Sequence, residues 1–213
     1  MSDGADTSGA PDHAVERLMF FSDAVFAIAI TLLVIEIHVP DIPSGSPASA
    51  SWSALAHLIP HFVGFVVSFF VIAAFWGGHH RAFAVAAHWD QRLVLPNTVL
   101  LLTIAAMPFF TAFSSRDTSN PVAVPLYCTW LFLTGLASMW LQRRVTSPPV
   151  VRESADAAVV RSIRRRGLSV TTGAATALTV SLFQPTLGQA ALITIPLWRM
   201  LFDRLDRRRA VIA

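Results

Sequence analysis

Six apolar stretches, separated by shorter polar segments, run along the 213-residue chain. The first four reach the roughly 20 residues that an α-helix needs to cross the hydrocarbon core of a bilayer, and the last two come close to it. The pattern predicts an all-α integral membrane protein with six transmembrane helices, at about residues 17–38, 53–78, 93–113, 122–141, 168–183 and 187–202. Because the last two are so short, a re-entrant hairpin in their place is an alternative interpretation.

The two ends of the chain differ in composition from the apolar unit between them. Residues 1–13 are small, polar and acidic, and we expect a disordered leader there. This segment lacks the basic region of a signal peptide, so the first apolar stretch is expected to be a retained helix. Residues 14–204 then form one six-helix unit, and residues 205–213 form a basic cytoplasmic tail.

The overall composition excludes an ordinary soluble domain. The chain is 54% hydrophobic and only 14% charged, whereas soluble domains are about one-quarter charged. Its isoelectric point of about 10.4 would suggest nucleic-acid binding in a soluble protein. In a membrane protein the same basic residues act as topology signals, and we expect no nucleic-acid partner. The single cysteine, Cys128, rules out an internal disulfide and a paired-cysteine metal motif.

The distribution of arginine predicts the orientation of the six spans. All sixteen basic residues are arginines, and fifteen of them fall in segments that the six-span map places on one side of the membrane. Only Arg116 lies on the other side. Cytoplasmic segments of membrane proteins carry the excess of basic residues, so both termini are predicted to be cytoplasmic.

The first span carries a carboxylate, that of Asp23, and a stripe of aliphatic side chains on different faces of the helix. At 100° per residue, Ile28, Leu32 and Ile35 fall close together, with Thr31 beside them. Asp23 lies about 140° away from Ile28 by the same measure. By itself the stripe is typical of ordinary helix packing or lipid contact, and the sequence pattern alone does not identify a pore.

Asp23 requires a partner if it is buried in the membrane. The second span runs antiparallel to the first, so its inner end, with Trp76, His79, His80 and Arg81, lies at the depth of Asp23. The carboxylate is interpreted as a structural link between two helices, with a proton relay as the alternative.

Other familiar chemistries receive little support from the sequence. His57 and His61 have the spacing of two metal ligands on one helix face, but no acidic residue or cysteine completes a site, and whether they bind a metal stays open. The chain contains no lysine, hence no Walker A motif, and neither a nucleophile elbow nor a TVGYG filter. We predict no enzymatic activity, catalytic residue or cofactor.

The segment from Arg17 to Asp23 fits the pattern RxxxFSD and continues as AVFAIAITLLVIEI. It resembles the signature of the transmembrane protein 175 family, the lysosomal potassium channel and its prokaryotic relatives. The segment WGGHHR, residues 76–81, is similar to the family's second-helix pattern. The likeness in motif is confined to residues 17–37 and 76–81, whereas the likeness in architecture extends over nearly the whole chain.

The resemblance implies a potassium-permeable cation channel in the plasma (inner) membrane of a prokaryote. It implies a homotetramer built around the first helices, with K⁺ as the permeant ion and the lipid bilayer as surroundings. The pore constriction would be Ile28, Leu32 and Ile35, a hydrophobic gate in place of a P-loop filter, and Thr31 would serve selectivity. The resemblance also implies a bracing network around the first helix, formed by Arg17, Phe21, Ser22, Asp23, Trp76, His79 and His80.

The outer mouth of such a channel would carry negative charge. The carboxylates of Glu36 and Asp41 would attract cations there.

The alternative function is a proton-linked secondary transporter or a proton-permeable channel that uses Asp23 and the second-helix histidines, although no internal repeat supports a transporter.

Overall fold

The structure is a computed structural model that describes residues 13–212, with side chains described up to Leu205. Residues 1–12 of the predicted leader and the side chains of most of the predicted tail lie outside the described part. The described chain is helical, and its only β-type pairing is an isolated antiparallel bridge between Ala86 and Val151. The helices are α1 His13–Ile35, α2 Ala48–His57, α3 Ile59–Phe83, α4 Val94–Ala105, α5 Met107–Arg116, α6 Ala123–Val145, α7 Ala157–Phe183, α8 Pro185–Gly188 and α9 Ile195–Ile212.

Prolines divide two of the predicted spans into helix pairs. Pro60 stands in the first turn of α3, directly after the break at Leu58 that separates α3 from α2. Pro108 stands in the first turn of α5, after the break at Ala106 that separates α5 from α4. Proline has no N–H to donate and its ring clashes with the preceding turn, so each break falls where a helix would otherwise be strained.

Several helix bounds differ from those predicted. The first helix ends at Ile35 instead of residue 38, and α6 continues to Val145. The helix of the fifth predicted span, α7, begins eleven residues earlier than predicted. The Asp156 carboxylate accepts the Ala158 N–H at 2.7 Å and caps the arginine-rich first half of this helix. The sixth predicted span is interrupted by a short 3₁₀ helix at Ala190–Thr194.

Four stretches of the described chain have the length and apolar composition to cross a membrane: His13–Ile35, Ala48–Phe83, Gln91–Arg116 and Ala123–Val145. The fifth and sixth predicted spans fall on α7 and on α8 to α9, which are not among these four.

The first helix packs against α3, α4 and α5, while α6 packs against α4, α5 and α7. Between them lies a continuous apolar core in which Phe26, Ile72, Leu100 and Leu131 are at most 1% exposed. Such a core fixes the mutual positions of the helices, because close-packed side chains leave little room for rotation.

Hydroxyl groups link the helices inside this core. Thr111 donates a hydrogen bond of 2.7 Å to the Ser68 hydroxyl, which lies 3.2 Å from the Tyr127 hydroxyl. All three side chains are buried, and they come from α5, α3 and α6. Buried polar groups need such partners, so this cluster defines how the three helices meet.

The crossing of α6 and α7 requires a residue without a side chain. A Cβ atom on Gly135 would lie 2.9 Å from the Thr171 hydroxyl and 3.2 Å from the Thr171 Cα. The two helices can approach this closely only because Gly135 leaves the space empty, a common device between membrane helices.

Replacing Gly135 by valine should therefore force α6 and α7 apart and destabilise the fold by about 1–3 kcal/mol. The measurement is the apparent melting temperature of the purified protein in detergent. Leu136→Val at the neighbouring position, where the side chain is 42% exposed, should leave that temperature close to wild type. Equal melting temperatures for Gly135→Val and wild type would contradict the tight crossing.

Candidate functional site

The first helix has two faces with opposite environments. Ser22, Phe26, Ala29 and Leu33 are at most 2% exposed and lie against the rest of the bundle. On the other face, Ile28 is 58%, Leu32 is 39% and Ile35 is 67% exposed. Thr31 is exposed beside them, and its hydroxyl donates a 2.9 Å hydrogen bond to the Ile28 carbonyl oxygen. The predicted stripe is thus an uncovered apolar surface of the single chain.

A buried chain of hydrogen bonds holds the packed face of α1. The Asn97 side-chain nitrogen donates to the Ser22 hydroxyl at 3.0 Å, and the Ser22 hydroxyl donates to the Leu18 carbonyl oxygen at 2.8 Å. The Asn97 oxygen lies 2.9 Å from His79 Nε2. Since that oxygen can only accept, the Nε2 atom carries the proton of this bond. Three helices, α1, α3 and α4, therefore meet at one asparagine.

Aromatic rings enclose the imidazole of this network. The His79 ring lies between Phe26 and Phe83, with ring centroids 5.6 Å and 4.6 Å away. The histidine is 1% exposed and Asn97 is 1% exposed. A hydrogen bond that is shielded from water in this way is costly to break without a replacement partner.

A second link connects α1 to α3 at the predicted carboxylate. The Trp76 indole nitrogen donates to the Asp23 carboxylate at 2.8 Å. The His80 ring lies next to the indole, with ring centroids 5.8 Å apart. Unlike the Asn97 network, this pair is partly exposed, since Trp76 is 43% exposed. The structure thus brings together five of the seven residues of the predicted bracing network: Ser22, Asp23, Trp76, His79 and His80.

The other two residues of that network lie elsewhere in the single chain. Phe21 is 61% exposed, and Arg17 is exposed with no hydrogen bond or ion pair to any described residue. Both side chains lie on the face of α1 that carries Ile28. Arg17 precedes Ile28 by eleven residues and Phe21 precedes it by seven, so at 100° per residue each falls within about 20° of Ile28 around the helix. A bracing role for these two stays a prediction.

Asn97 is the member of the network that the sequence reasoning missed. It stands in an otherwise apolar stretch, next to Pro96, in the first turns of α4. A lone amide inside a predicted span is a signal, because polar groups in membrane helices find partners on neighbouring helices.

The residues predicted for the outer mouth lie beyond the end of α1. Glu36 and Asp41 are exposed, and the Glu36 carbonyl oxygen lies 3.0 Å from His38 Nδ1. The end of α5 is at the same end of the bundle, because the start of α3 at Gly64 approaches Ser115. There the hydroxyl and backbone N–H of Ser119 donate to Asp117 and lower the pKa of its carboxyl group.

His57 and His61 lie on opposite sides of the helix break at Leu58. His57 is the last residue of α2, whereas His61 belongs to the first turn of α3, where its buried Nδ1 atom has no hydrogen-bond partner. Within residues 13–212, no group of three histidine, cysteine or acidic side chains has the arrangement of a metal site.

A helical bundle with four stretches that are long and apolar enough to cross a bilayer is the architecture of an integral membrane protein. A family model described as the endosomal/lysosomal potassium channel TMEM175 matches residues 17–108, the segment that contains most of α1, all of α3 and Asn97. The resemblance drawn from RxxxFSD is confirmed: over residues 17–108 the chain is similar to this family of ion channels.

Curated relatives support the same family. A potassium channel of Streptomyces collinus is 38% identical over 132 residues, which cover 58% of this chain and 62% of the relative. A potassium channel of Chamaesiphon minutus is 38% identical over 115 residues, covering 54% and 56%. The human endosomal/lysosomal proton channel TMEM175 is 28% identical over 136 residues, covering 59% and 27%. The chain spans about three-fifths of the length of the bacterial relatives that it matches.

Solved structures extend the likeness over the whole fold. The crystal structure of a lysosomal potassium-selective channel TMEM175 homolog from Chamaesiphon minutus superposes with a TM-score of 0.77 and 26% identity, covering 89% of this chain and 98% of that one. A variant of the potassium channel MtTMEM175 superposes with a TM-score of 0.62 at 17% identity, covering 98% and 99%, which shows the fold alone.

Replacing Asn97 by leucine, which has the same branching but no polar side-chain atom, should leave the His79 Nε2–H without an acceptor in the core. We expect a loss of about 1–3 kcal/mol in stability, the cost of an unsatisfied buried donor. Thermal unfolding in detergent measures it, with Thr98→Val on the exposed side of α4 as the control. An Asn97→Leu protein as stable as the control would show that the network does not hold α1.

Proposed function

We propose that the protein is a potassium-permeable cation channel that works as a homotetramer, with one α1 helix from each copy lining the pore. Each copy would cross the membrane six times, with both termini on the arginine-rich cytoplasmic side. Ile28, Leu32 and Ile35 would form the constriction. The proposal agrees with relatives that are named potassium channels in Streptomyces collinus and Chamaesiphon minutus.

The observation that carries the proposal is the uncovered stripe of α1. The bundle buries one face of this helix and leaves Ile28, Leu32 and Ile35 between 39% and 67% exposed. These are the three positions for which the family resemblance implies a pore constriction. A single copy cannot enclose a pore with one helix face, so the function requires several copies around an axis.

Rings of isoleucine and leucine would act as a gate by excluding water. A narrow apolar constriction loses its water column spontaneously, and a dry segment stops ions because it offers no groups to replace their hydration shell. A small outward displacement of α1 would let water return. The gate would therefore respond to modest movements of one helix.

The buried hydrogen bonds would set the rotation of α1 about its own axis. The Asn97 network and the Trp76–Asp23 bond hold the face opposite the stripe. In that position the stripe can only point away from the chain's own bundle. The bracing residues would thus determine which side chains reach the pore without contacting an ion.

Polar atoms near the stripe would provide the preference for cations. The Thr31 hydroxyl donates its hydrogen bond to the Ile28 carbonyl oxygen, so the lone pairs of the hydroxyl oxygen would be available as acceptors. The carboxylates of Glu36 and Asp41, beyond the end of α1, would raise the local concentration of cations. Without a cage of carbonyl groups, we expect modest selectivity for potassium over sodium.

Proton conduction is the second candidate function. The human and bovine relatives are named proton channels, and the chain holds Asp23 and His79 at the α1–α3 interface. In a proton-linked transporter or proton channel these groups would exchange protons. The Asn97–His79 bond opposes this use, because it engages Nε2 of an imidazole that is only 1% exposed.

Ion flux in reconstituted liposomes separates the two functions. Vesicles loaded with potassium should release it through the protein when a protonophore has abolished any proton gradient. Empty vesicles, treated identically, provide the baseline. Potassium release that requires a proton gradient would overturn the channel proposal in favour of coupled transport.

Replacing Ile28 by asparagine should place an amide in the constriction, stabilise water there and raise the resting potassium flux. Val34→Asn is the matched control, because Val34 is also a β-branched and 49% exposed residue of α1 but lies off the stripe. The same liposome assay measures both variants. An unchanged flux in Ile28→Asn, or an equal rise in Val34→Asn, would show that Ile28 is not at the gate.

Replacing Thr31 by valine keeps the shape of the side chain and removes its oxygen. We expect the potassium-to-sodium permeability ratio to fall more than the total conductance, as measured from reversal potentials in planar bilayers. Thr31→Ser restores the hydroxyl and should restore the ratio. If valine and serine give the same ratio, the hydroxyl does not contribute to selectivity.

A further inference from the structure

A cleft of about 280 Å³ lies between the end of α6 and the first half of α7, far along the chain from the stripe of α1. It combines cationic and apolar walls. Its lining residues are Met139, Gln142, Arg143, Arg164, Arg165 and Leu168. The lining carries three guanidinium groups and no acidic residue. Arg165 is paired with Asp203 from α9, so the charges of Arg143 and Arg164 remain to attract an anion.

Two of the guanidinium groups are held in place by the protein itself. Arg164 donates through Nε and Nη2 to the hydroxyl and carbonyl oxygens of Thr146 at 2.9 and 2.7 Å, and through Nη2 to the Ser147 hydroxyl at 2.9 Å. Arg165 donates through Nη1 to the Asp203 carboxylate at 3.0 Å. Their positions are set before any ligand arrives, which reduces the entropic cost of binding.

The third guanidinium group, that of Arg143, has no hydrogen bond or ion pair within the described part of the chain. It belongs to the last turn of α6 and is exposed. The Nη1 atom of Arg164 is likewise not used in the bonds to Thr146 and Ser147. Several N–H donors are thus available at the rim, in the geometry that arginine offers to phosphate oxygens.

One residue that lines the cleft, Gln142, has an unused acceptor. The Gln142 side-chain oxygen is buried and has no hydrogen-bond donor, while its nitrogen donates to the Ser138 hydroxyl at 3.1 Å. Gly167 leaves the space that this amide fills, because a Cβ atom at that position would collide with it. A buried acceptor without a partner indicates a position where a hydroxyl donor of a ligand can bind.

The location of the cleft indicates the type of anion. Arg143 and Arg144 end a stretch that is apolar enough to cross a membrane, so the cleft lies at a membrane boundary. Met139 and Leu168 provide an apolar wall below the arginines. Basic pockets between membrane helices at this depth suit the headgroups of anionic lipids, whose chains continue into the bilayer.

We propose that this cleft binds an anionic phospholipid whose phosphate accepts hydrogen bonds from the arginine rim. A hydroxyl of a glycerol headgroup donates to the Gln142 oxygen, and the first methylene groups of the acyl chains lie against Met139 and Leu168. The site lies outside the proposed pore and does not depend on which ion the protein conducts.

Lipid-dependent thermal stability of the full-length protein in detergent tests the site. The probes are phosphatidylglycerol, the neutral lipid phosphatidylcholine, and inorganic phosphate, each added in a concentration series. We expect phosphatidylglycerol alone to raise the melting temperature. Arg143→Gln removes a charge that makes no internal bond, and should weaken the apparent affinity for this lipid about tenfold, the value of one charged hydrogen bond.

Arg161→Gln is the matched control, because it removes one arginine from α7 outside the cleft. It should bind phosphatidylglycerol as wild type does. An equal loss of affinity for phosphatidylglycerol in both variants would show that only the overall charge matters, and would overturn the site. An Arg143→Gln protein with wild-type affinity would overturn it as well. A stabilisation by inorganic phosphate equal to that by the lipid would overturn the assignment to a phospholipid.

Discussion

The rotational position of α1 depends on one asparagine. The side-chain oxygen of Asn97 accepts a hydrogen bond from His79, and its nitrogen donates one to the Ser22 hydroxyl. Both partners are at most 1% exposed. In an apolar environment, no water replaces these hydrogen bonds if the amide loses them, so breaking them is costly. The bonds therefore hold α1, α3 and α4 in one register. The apolar contacts around it, such as Phe26 against His79, would tolerate small rotations, whereas the hydrogen bonds do not.

Periodicity alone predicted the essential division of α1. The angles of Ile28, Leu32 and Ile35 put them on one face, and that face is the one that the chain leaves exposed. The antiparallel pairing of the first two spans brought Trp76 to Asp23, and the bond between them is present. These features depend on local geometry and on span direction, both of which the sequence encodes directly.

The features that the sequence did not predict depend on which helix lies beside which. The amide of Asn97 indicates a polar partner on some neighbouring helix, but not that this partner is Ser22 of α1. The length of α7 was missed because its arginine-rich half is polar, although Asp156 provides a helix cap there. For Arg17 the helical angle pointed toward Ile28, and the family resemblance suggested a bracing role that the single chain does not display.

The composition of the uncovered stripe bears on the order of folding and assembly. Isoleucine and leucine are as compatible with lipid tails as with one another, so a single chain pays no penalty for exposing them to the bilayer. The hydrogen bonds from Asn97 to Ser22 and from Trp76 to Asp23 hold α1 to its own chain. In the proposed tetramer, a newly inserted chain would therefore make these bonds before it meets another copy, and covering Ile28, Leu32 and Ile35 would add little to the free energy of association. In the proposed tetramer, other surfaces of the bundle would hold the copies together, and the stripe would remain free to open and close.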